Sequence, residues 1–307
     1  MIKIFYILKP LIPRNFQIFL RRKLVKRKRE KYKNVWPILE KAGKTPKGWP
    51  GWLDNKQFAL VLTHDVETQA GHDKCIELMK LEKKLCLRSS FNFVPEKYNV
   101  SEKLRSDLIA NGFEVGVHGL KHDGKLFSNK KIFNERAKKI NRYLKNWGAV
   151  GFRAPAMHHN LDWIHELDVK YDLSTFDTDP FEPQSDGVGT IFPFWVAENG
   201  SGHGYWELPY TLVQDFTLLI LMKENNEIWK KKVDWIVEKG GMVLVNVHPD
   251  YINFNQRTSK PEEFSPKQYI GLLKYIKSKY SSKYWNPLPM ELAAYLESYF
   301  PKNNVIN

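Results

Sequence analysis

Two histidines, His118 and His122, stand four residues apart, and two acids, Asp65 and Glu67, stand two apart elsewhere in the chain. An i, i+4 spacing on one helical turn puts both imidazoles on one face, close enough to share a metal ion. Alone, such a histidine pair is a weak signal, because two incidental histidines explain it as well. The carboxylates change the weighting. Two imidazoles and one carboxylate, with positions left open for water and substrate, make a common catalytic zinc arrangement. Asp65 and Glu67 face the same side of an extended strand, and in a loop just past one both can turn into a pocket. One acid can then bind the metal while the other takes a proton from water, whose pKa zinc lowers to about 7. The plain alternative for each acid is a helix N-cap or a surface carboxylate.

Arg153, in Phe152-Arg153-Ala154-Pro155, either holds Asp65 ionised and aimed or forms a structural ion pair. His248 follows the apolar run Val243-Leu244-Val245-Asn246-Val247. It suits a general acid that protonates a leaving amine, since histidine titrates in the useful range; a satisfied core histidine is the equal alternative. His64 points away from Asp65 by strand alternation. His158, His159 and His203 fall in predicted loops with no clear partner.

The elements that must position these residues are strands. Phe58-Ala59-Leu60-Val61-Leu62 is a continuous apolar run, the kind buried on both faces of a parallel sheet, and it leads into Thr63-His64-Asp65-Val66-Glu67. Residues 90–94 and 114–117 read as further strands, the second running into His118. Residues 150–152 precede Arg153, and 242–247 precede His248. Helices are predicted over 73–87, 101–111, 130–147, 161–167, 227–239, 265–280 and 289–300, several closed by glycine. Residues 174–207, rich in Gly, Pro and Asp, read as loops and a hairpin. Strand–helix alternation predicts an α/β fold, a parallel sheet or barrel with its site at the carboxyl ends of the strands. Periodicity alone leaves sheet and barrel both open.

Composition narrows the classes. With 307 residues, 42% hydrophobic and 14% aromatic, the chain can bury one large α/β core and is not a disordered polymer. Ten tryptophans and fourteen tyrosines serve a bulky core first and a sugar-lining cleft second. The net charge of +14 is local: residues 1–34 hold twelve Lys or Arg against Glu30 alone, and the rest of the chain carries only +3. No specific nucleic-acid partner is expected. The arm sets apolar clusters beside Arg21-Arg22-Lys23 and Lys26-Arg27-Lys28-Arg29, which suits peripheral contact with an anionic membrane through residues 1–34. It is too short and too charged to span a bilayer, and Lys9-Pro10 interrupts any signal-peptide core. Cys75 and Cys86 lie about 16 Å apart along one predicted helix, so buried thiols are expected rather than a disulfide. A cytoplasmic protein, peripheral at the inner membrane face, is the resulting expectation. The domain reading is a basic arm and Trp/Pro/Gly-rich connector over 1–50, a barrel over 51–300 and a tail over 301–307.

From Phe58 to Pro249 the motifs and their order resemble the polysaccharide deacetylase family, the NodB-like carbohydrate esterases, some of which act on lipid-linked sugars and peptidoglycan. Thr63-His64-Asp65-Val66-Glu67 looks like the family's first motif, which implies Asp65 as catalytic base and Glu67 as the first metal ligand. His118 and His122 match the histidine pair of the second. Phe152-Arg153-Ala154-Pro155 matches the third, whose arginine contacts the base, and Val247-His248-Pro249 matches the last, with His248 as catalytic acid. The implied fold is a distorted (β/α)7 barrel. Several positions depart from the pattern. Glu67 stands where Asp is usual, Gly119 where Ser or Thr is, and Ala156 where an aromatic often follows. For the remaining motif, a cleft tryptophan and an acid that orients the histidine, Trp206 and Asp177 or Asp179 are the candidates, with Pro155 beside them at the substrate.

The resemblance implies a divalent metal, zinc before cobalt, nickel or manganese, on His118, His122 and Glu67. It implies removal of an acyl group, acetyl first, from the nitrogen of an acetylated saccharide, in cell-envelope or exopolysaccharide metabolism. Two rivals stay open: a deformylase or O-deacetylase acting on a lipid-linked sugar, and a catalytically silent sugar-binding protein of the same fold.

Overall fold

The computed structural model describes residues 13–198, 203–255 and 260–300. Its strands are β1 (Phe58–Val66), β2 (Ser90–Phe93), β3 (Glu114–His118), β4 (Gly151–Arg153), β5 (Tyr171–Asp172), β6 (Phe194–Ala197), β7 (Gly204–Glu207), β8 (Met242–Asn246) and β9 (Tyr284–Trp285). They form one sheet in the order β6-β7-β5-β4-β3-β2-β1-β8, with β9 beside the amino end of β1. Past β7 the chain runs on to bridge Tyr210 with Phe176 and Leu212 with Val245 of β8, both in parallel. Those single bridges curl the sheet round into seven parallel strands, with β7 and its extension taken as one and the short β9 set aside. The antiparallel β6 makes a hairpin arm on β7. The result is a distorted (β/α)7 barrel, closed loosely on one side.

Around the sheet lie α1 (Arg14–Lys31), α2 (Gln69–His72), α3 (Cys75–Lys84), α4 (Glu102–Ala110), α5 (Lys130–Trp147), α6 (Leu161–Ile164), α7 (Glu227–Lys239), α8 (Lys267–Lys279) and α9 (Pro289–Tyr299). Local signals set their ends. Ser101 and Asn129 accept from Leu104 N and Ile132 N as N-caps of α4 and α5. Gly148 and Gly240, in the left-handed conformation, stop α5 and α7. Every residue of β1 is buried, as its unbroken apolar run requires of a strand covered on both faces. At the amino end of the barrel, Met290 N at the start of α9 donates to the buried Glu114 carboxylate, which also accepts from Tyr171 Oη at 2.6 Å.

Two expectations change here. The helix predicted over 73–87 stops at Lys84, and Cys86 then sits at φ +54° and is exposed, so only Cys75 is a buried thiol. His118 and His122 do not share a helical turn: His118 is the last residue of β3, and turns and bends follow it. The apolar segment at 2–8 and the tail at 301–307 lie outside the described residues.

Candidate metal centre

Strand register assembles the site. Asp65 pairs with Asn92 across β1 and β2, Thr63 with Asn246 across β1 and β8, and His118 with Arg153 across β3 and β4. Laterally paired residues of a parallel sheet project to the same face, so these side chains meet at the carboxyl end of the barrel. Asp65 Oδ1 accepts from Asn92 Nδ2 at 3.0 Å and Arg153 Nη1 at 3.2 Å, and Oδ2 accepts from Asn246 Nδ2 at 2.8 Å. Arg153 is fully buried and also donates to Thr63 Oγ1 and to the Leu173 carbonyl. Burial works against the Asp65 charge. The Arg153 guanidinium, the imidazoles of His118 and His248 and the Asn92 amide outweigh it and hold the carboxyl well below the usual range.

Beside this carboxylate, one nitrogen or oxygen each from Glu67, His118 and His122 lie within 4.8 Å of one another. His118 Nδ1 is 3.1 Å from the Arg153 carbonyl, which can only accept, so Nδ1 carries the proton and Nε2 keeps its lone pair. That Nε2 is buried and has no hydrogen-bond partner, while His122 Nε2 lies 2.9 Å from Glu67 Oε1. Burial pushes His118 down to about 4, keeping it neutral. A buried His118 nitrogen with no partner, beside an imidazole–carboxylate pair, would be costly without an occupant. The donor set fits a divalent ion such as zinc.

Backbone and neighbours explain how the departures from the family pattern are accommodated. His122 reaches the site from a loop at φ +53°, and Gly119 turns the chain at φ +62°. A Cβ on Gly119 would come 2.5 Å from Pro155 Cγ, so Ser or Thr has no room there. Glu67 lies one residue beyond β1. Its amide donates to Asp250 Oδ2, and Tyr251 Oη donates to its Oε2 at 2.9 Å, leaving Oε1 turned to His122. Burial raises the Glu67 pKa, but His122 first and then His248 and His118 pull it well below the ordinary value.

His248 stands across the site with Nε2 3.9 Å from Glu67 Oε1. Its Nδ1 is 2.7 Å from Asp215 Oδ1, and its amide donates to Asp215 Oδ2. Burial alone would lower this histidine; the Asp215 charge and hydrogen bond, helped by Glu67 and Asp65, push it up to about 10. Asp215 therefore occupies the orienting position for which Asp177 and Asp179 were the candidates, and those two are elsewhere. Asp177 pairs with Lys232 at 2.7 Å, and Asp179 accepts from Tyr210 Oη. Trp206 is also displaced: it packs on Trp195 and Phe300 with its indole N–H toward Glu297 of α9. Pro155 does lie with His122, Phe127 and His158 along a narrow cleft beside the site. His64 faces the other way, bound to Glu82 at 2.8 Å and near the Val247 carbonyl as a core histidine. Asn92, Asn246, Asp215 and Tyr251 were not singled out from sequence. The signal for the two asparagines was a polar residue inside an apolar strand.

No family model matches the chain, and no curated protein matches it in sequence. Solved structures do match. A Mycobacterium smegmatis protein assigned as a polysaccharide deacetylase superposes with a TM-score of 0.60 at 17% identity, covering 83% of this chain and 95% of its own. The chain has the fold of the polysaccharide deacetylases. A Pseudomonas aeruginosa protein with the same assignment gives 0.59 at 14% identity, covering 84% and 96%. The Puue allantoinase gives 0.62 at 16%, again covering 84% and 96%. At these identities the likeness is one of fold. In this polysaccharide deacetylase fold the site at the strand ends rests on the side chains themselves.

Proposed function

We propose that this chain is a divalent-cation-dependent carbohydrate deacetylase that cleaves the N-acyl bond, acetyl first, of an amino sugar. One observation carries the reading: the unpartnered Nε2 of His118, the Nε2 of His122 and the tethered Glu67 carboxylate that it contacts converge beside a separate, ionised aspartate. Glu67, His118 and His122 would hold the cation, zinc first among candidates. A cation there supplies Lewis acidity to the acyl carbonyl and lets water ionise near neutral pH. Asp65 already accepts three hydrogen bonds and has about one lone-pair site left, which takes the proton from water. Arg153, Asn92 and Asn246 keep that carboxylate from turning. His248, held charged by Asp215, gives a proton to nitrogen as the C–N bond breaks.

An amine leaves badly without that proton, so a histidine kept charged favours N-acyl over O-acyl substrates. Formyl in place of acetyl would ask the same of these residues, and a lipid-linked saccharide in envelope metabolism is the finer reading. Glu67, the ground for a silent sugar-binding reading, is tied by Tyr251 with one oxygen on the histidines, which supports a working centre. The test is mass spectrometry of acetate and free amine released from N-acetylated oligosaccharides, before and after a chelator and again after zinc is restored. Equal release of acetate and amine, abolished by chelation and restored by zinc, is expected. Release indifferent to the chelator, or from O-acetyl esters alone, would overturn the assignment.

A further inference from the structure

α1 lies against the rim of the site and leaves a patterned outer face. Its inner side is fixed to the body: Ile18 and Val25 are buried, Arg22 donates to the Ile220 carbonyl, Lys28 to that of Pro180, and Arg29 pairs with Glu224. Arg14 and Arg21 stand over the Phe216 ring, Phe216 packs on Tyr251, and Tyr251 holds Glu67. The helix is thus two side chains from the candidate metal ligand. Its outer side carries Phe16, Phe19, Leu20 and Leu24, at 51%, 48%, 40% and 54% exposure. These are four of the eight exposed large apolar side chains among the described residues, gathered on one helix, which a merely solvated arm would not do. Exposed Lys23, Lys26, Arg27 and Lys31 continue the same side toward the carboxyl end, against Glu30 alone.

An apolar half followed by a cationic half along one exposed face is the chemistry of a helix lying in the headgroup layer, its rings among the acyl chains and its ammonium and guanidinium groups among the phosphates. A second copy of this chain would set the same cations against themselves, which disfavours a symmetric helix pair. No helix among the described residues is long and apolar enough to cross a membrane. We propose that the outer face of α1 docks on the surface of an anionic lipid bilayer.

Sedimentation of the full chain with phosphatidylglycerol/phosphatidylcholine vesicles, against phosphatidylcholine alone, tests the docking without any activity readout. The anionic vesicles should bind it, raised salt should weaken binding, and Leu20→Ser/Leu24→Ser should cut the partition coefficient by at least about tenfold. Lys23→Gln/Arg27→Gln, which leaves the apolar residues in place, should reduce the preference for anionic vesicles. Both variants should keep the wild-type circular dichroism and the wild-type turnover of soluble acetylated oligosaccharides. Equal binding by wild type and both folded variants, no binding by wild type, or a dimer that the Leu20/Leu24 variant dissociates without change in vesicle binding would each overturn the proposal. Loss of vesicle binding with turnover intact, or the reverse, separates this inference from the enzymatic one.

Discussion

Asp65 and His248 face one another with opposite electrostatic settings. Three donors keep the carboxylate ionised, while Asp215 keeps the imidazole charged, so base and acid are in their working forms at the same neutral pH. Asp65→Asn should retain the bound metal and lower turnover by about 10²–10⁴-fold, whereas His118→Ala should lose both; metal analysis beside a steady-state assay reads the two. Asp215→Asn removes the main source of the upward pull and leaves burial, which lowers His248. The alkaline limb of the kcat/KM profile should then move to lower pH with metal content unchanged, and an unmoved limb would remove His248 as the acid. Asp65, Glu67, His118, Arg153 and His248 were legible in the sequence because each sits at or just past an apolar strand. Asp215 was not, because it follows the irregular barrel-closing segment and caps a π-helical turn, Phe216–Leu221, that no simple period marks.

Elements set the precision of the site. β1, β3, β4 and β8 bring their residues by register, and those strands were readable from apolar runs. The one helical turn expected to carry both His118 and His122 does not form, because Gly119 and His122 take left-handed conformations and His122 stands on a loop. That loop is held by α5, where Arg136 makes a bidentate pair with Asp123 at 2.7 Å for both contacts. The hydrogen bond from Arg136 takes Asp123 down to about 2, so the pair persists over the working pH range. Arg136→Ala should therefore loosen His122 and weaken metal affinity by about 10–100-fold, with little change in fold, measurable by competition with a chromophoric chelator. The barrel's closure by isolated bridges at Tyr210 and Leu212 was equally hidden, since neither residue lies in a run long enough to read as a strand.

Among the described residues, several carboxyls are buried away from the candidate metal site, Glu114, Asp172, Asp177 and Glu207 among them. Burial raises Glu114 to about 7 and Asp177 to about 6, and it raises Glu207 and Asp172 as well. In the window between their ordinary and folded values these acids are protonated in the folded chain and ionised in the unfolded one. The folded state then binds more protons, so its stability rises as pH falls through the window and is lost as pH rises. His118, pushed down to about 4, acts oppositely below its ordinary value. The melting temperature of the metal-free chain should accordingly climb from about pH 8 to about pH 6. A scan by calorimetry that falls over that interval would mean these acids are solvated in the folded protein.

The most direct test of the central claim is a crystal structure of the zinc-soaked full chain with anomalous scattering collected across the zinc edge. The account predicts one peak about 2.0–2.2 Å from His118 Nε2, His122 Nε2 and a Glu67 oxygen, with Asp65 nearby but not bound. A zinc-replete crystal with no peak there, or with Asp65 as a ligand in place of Glu67, would contradict it.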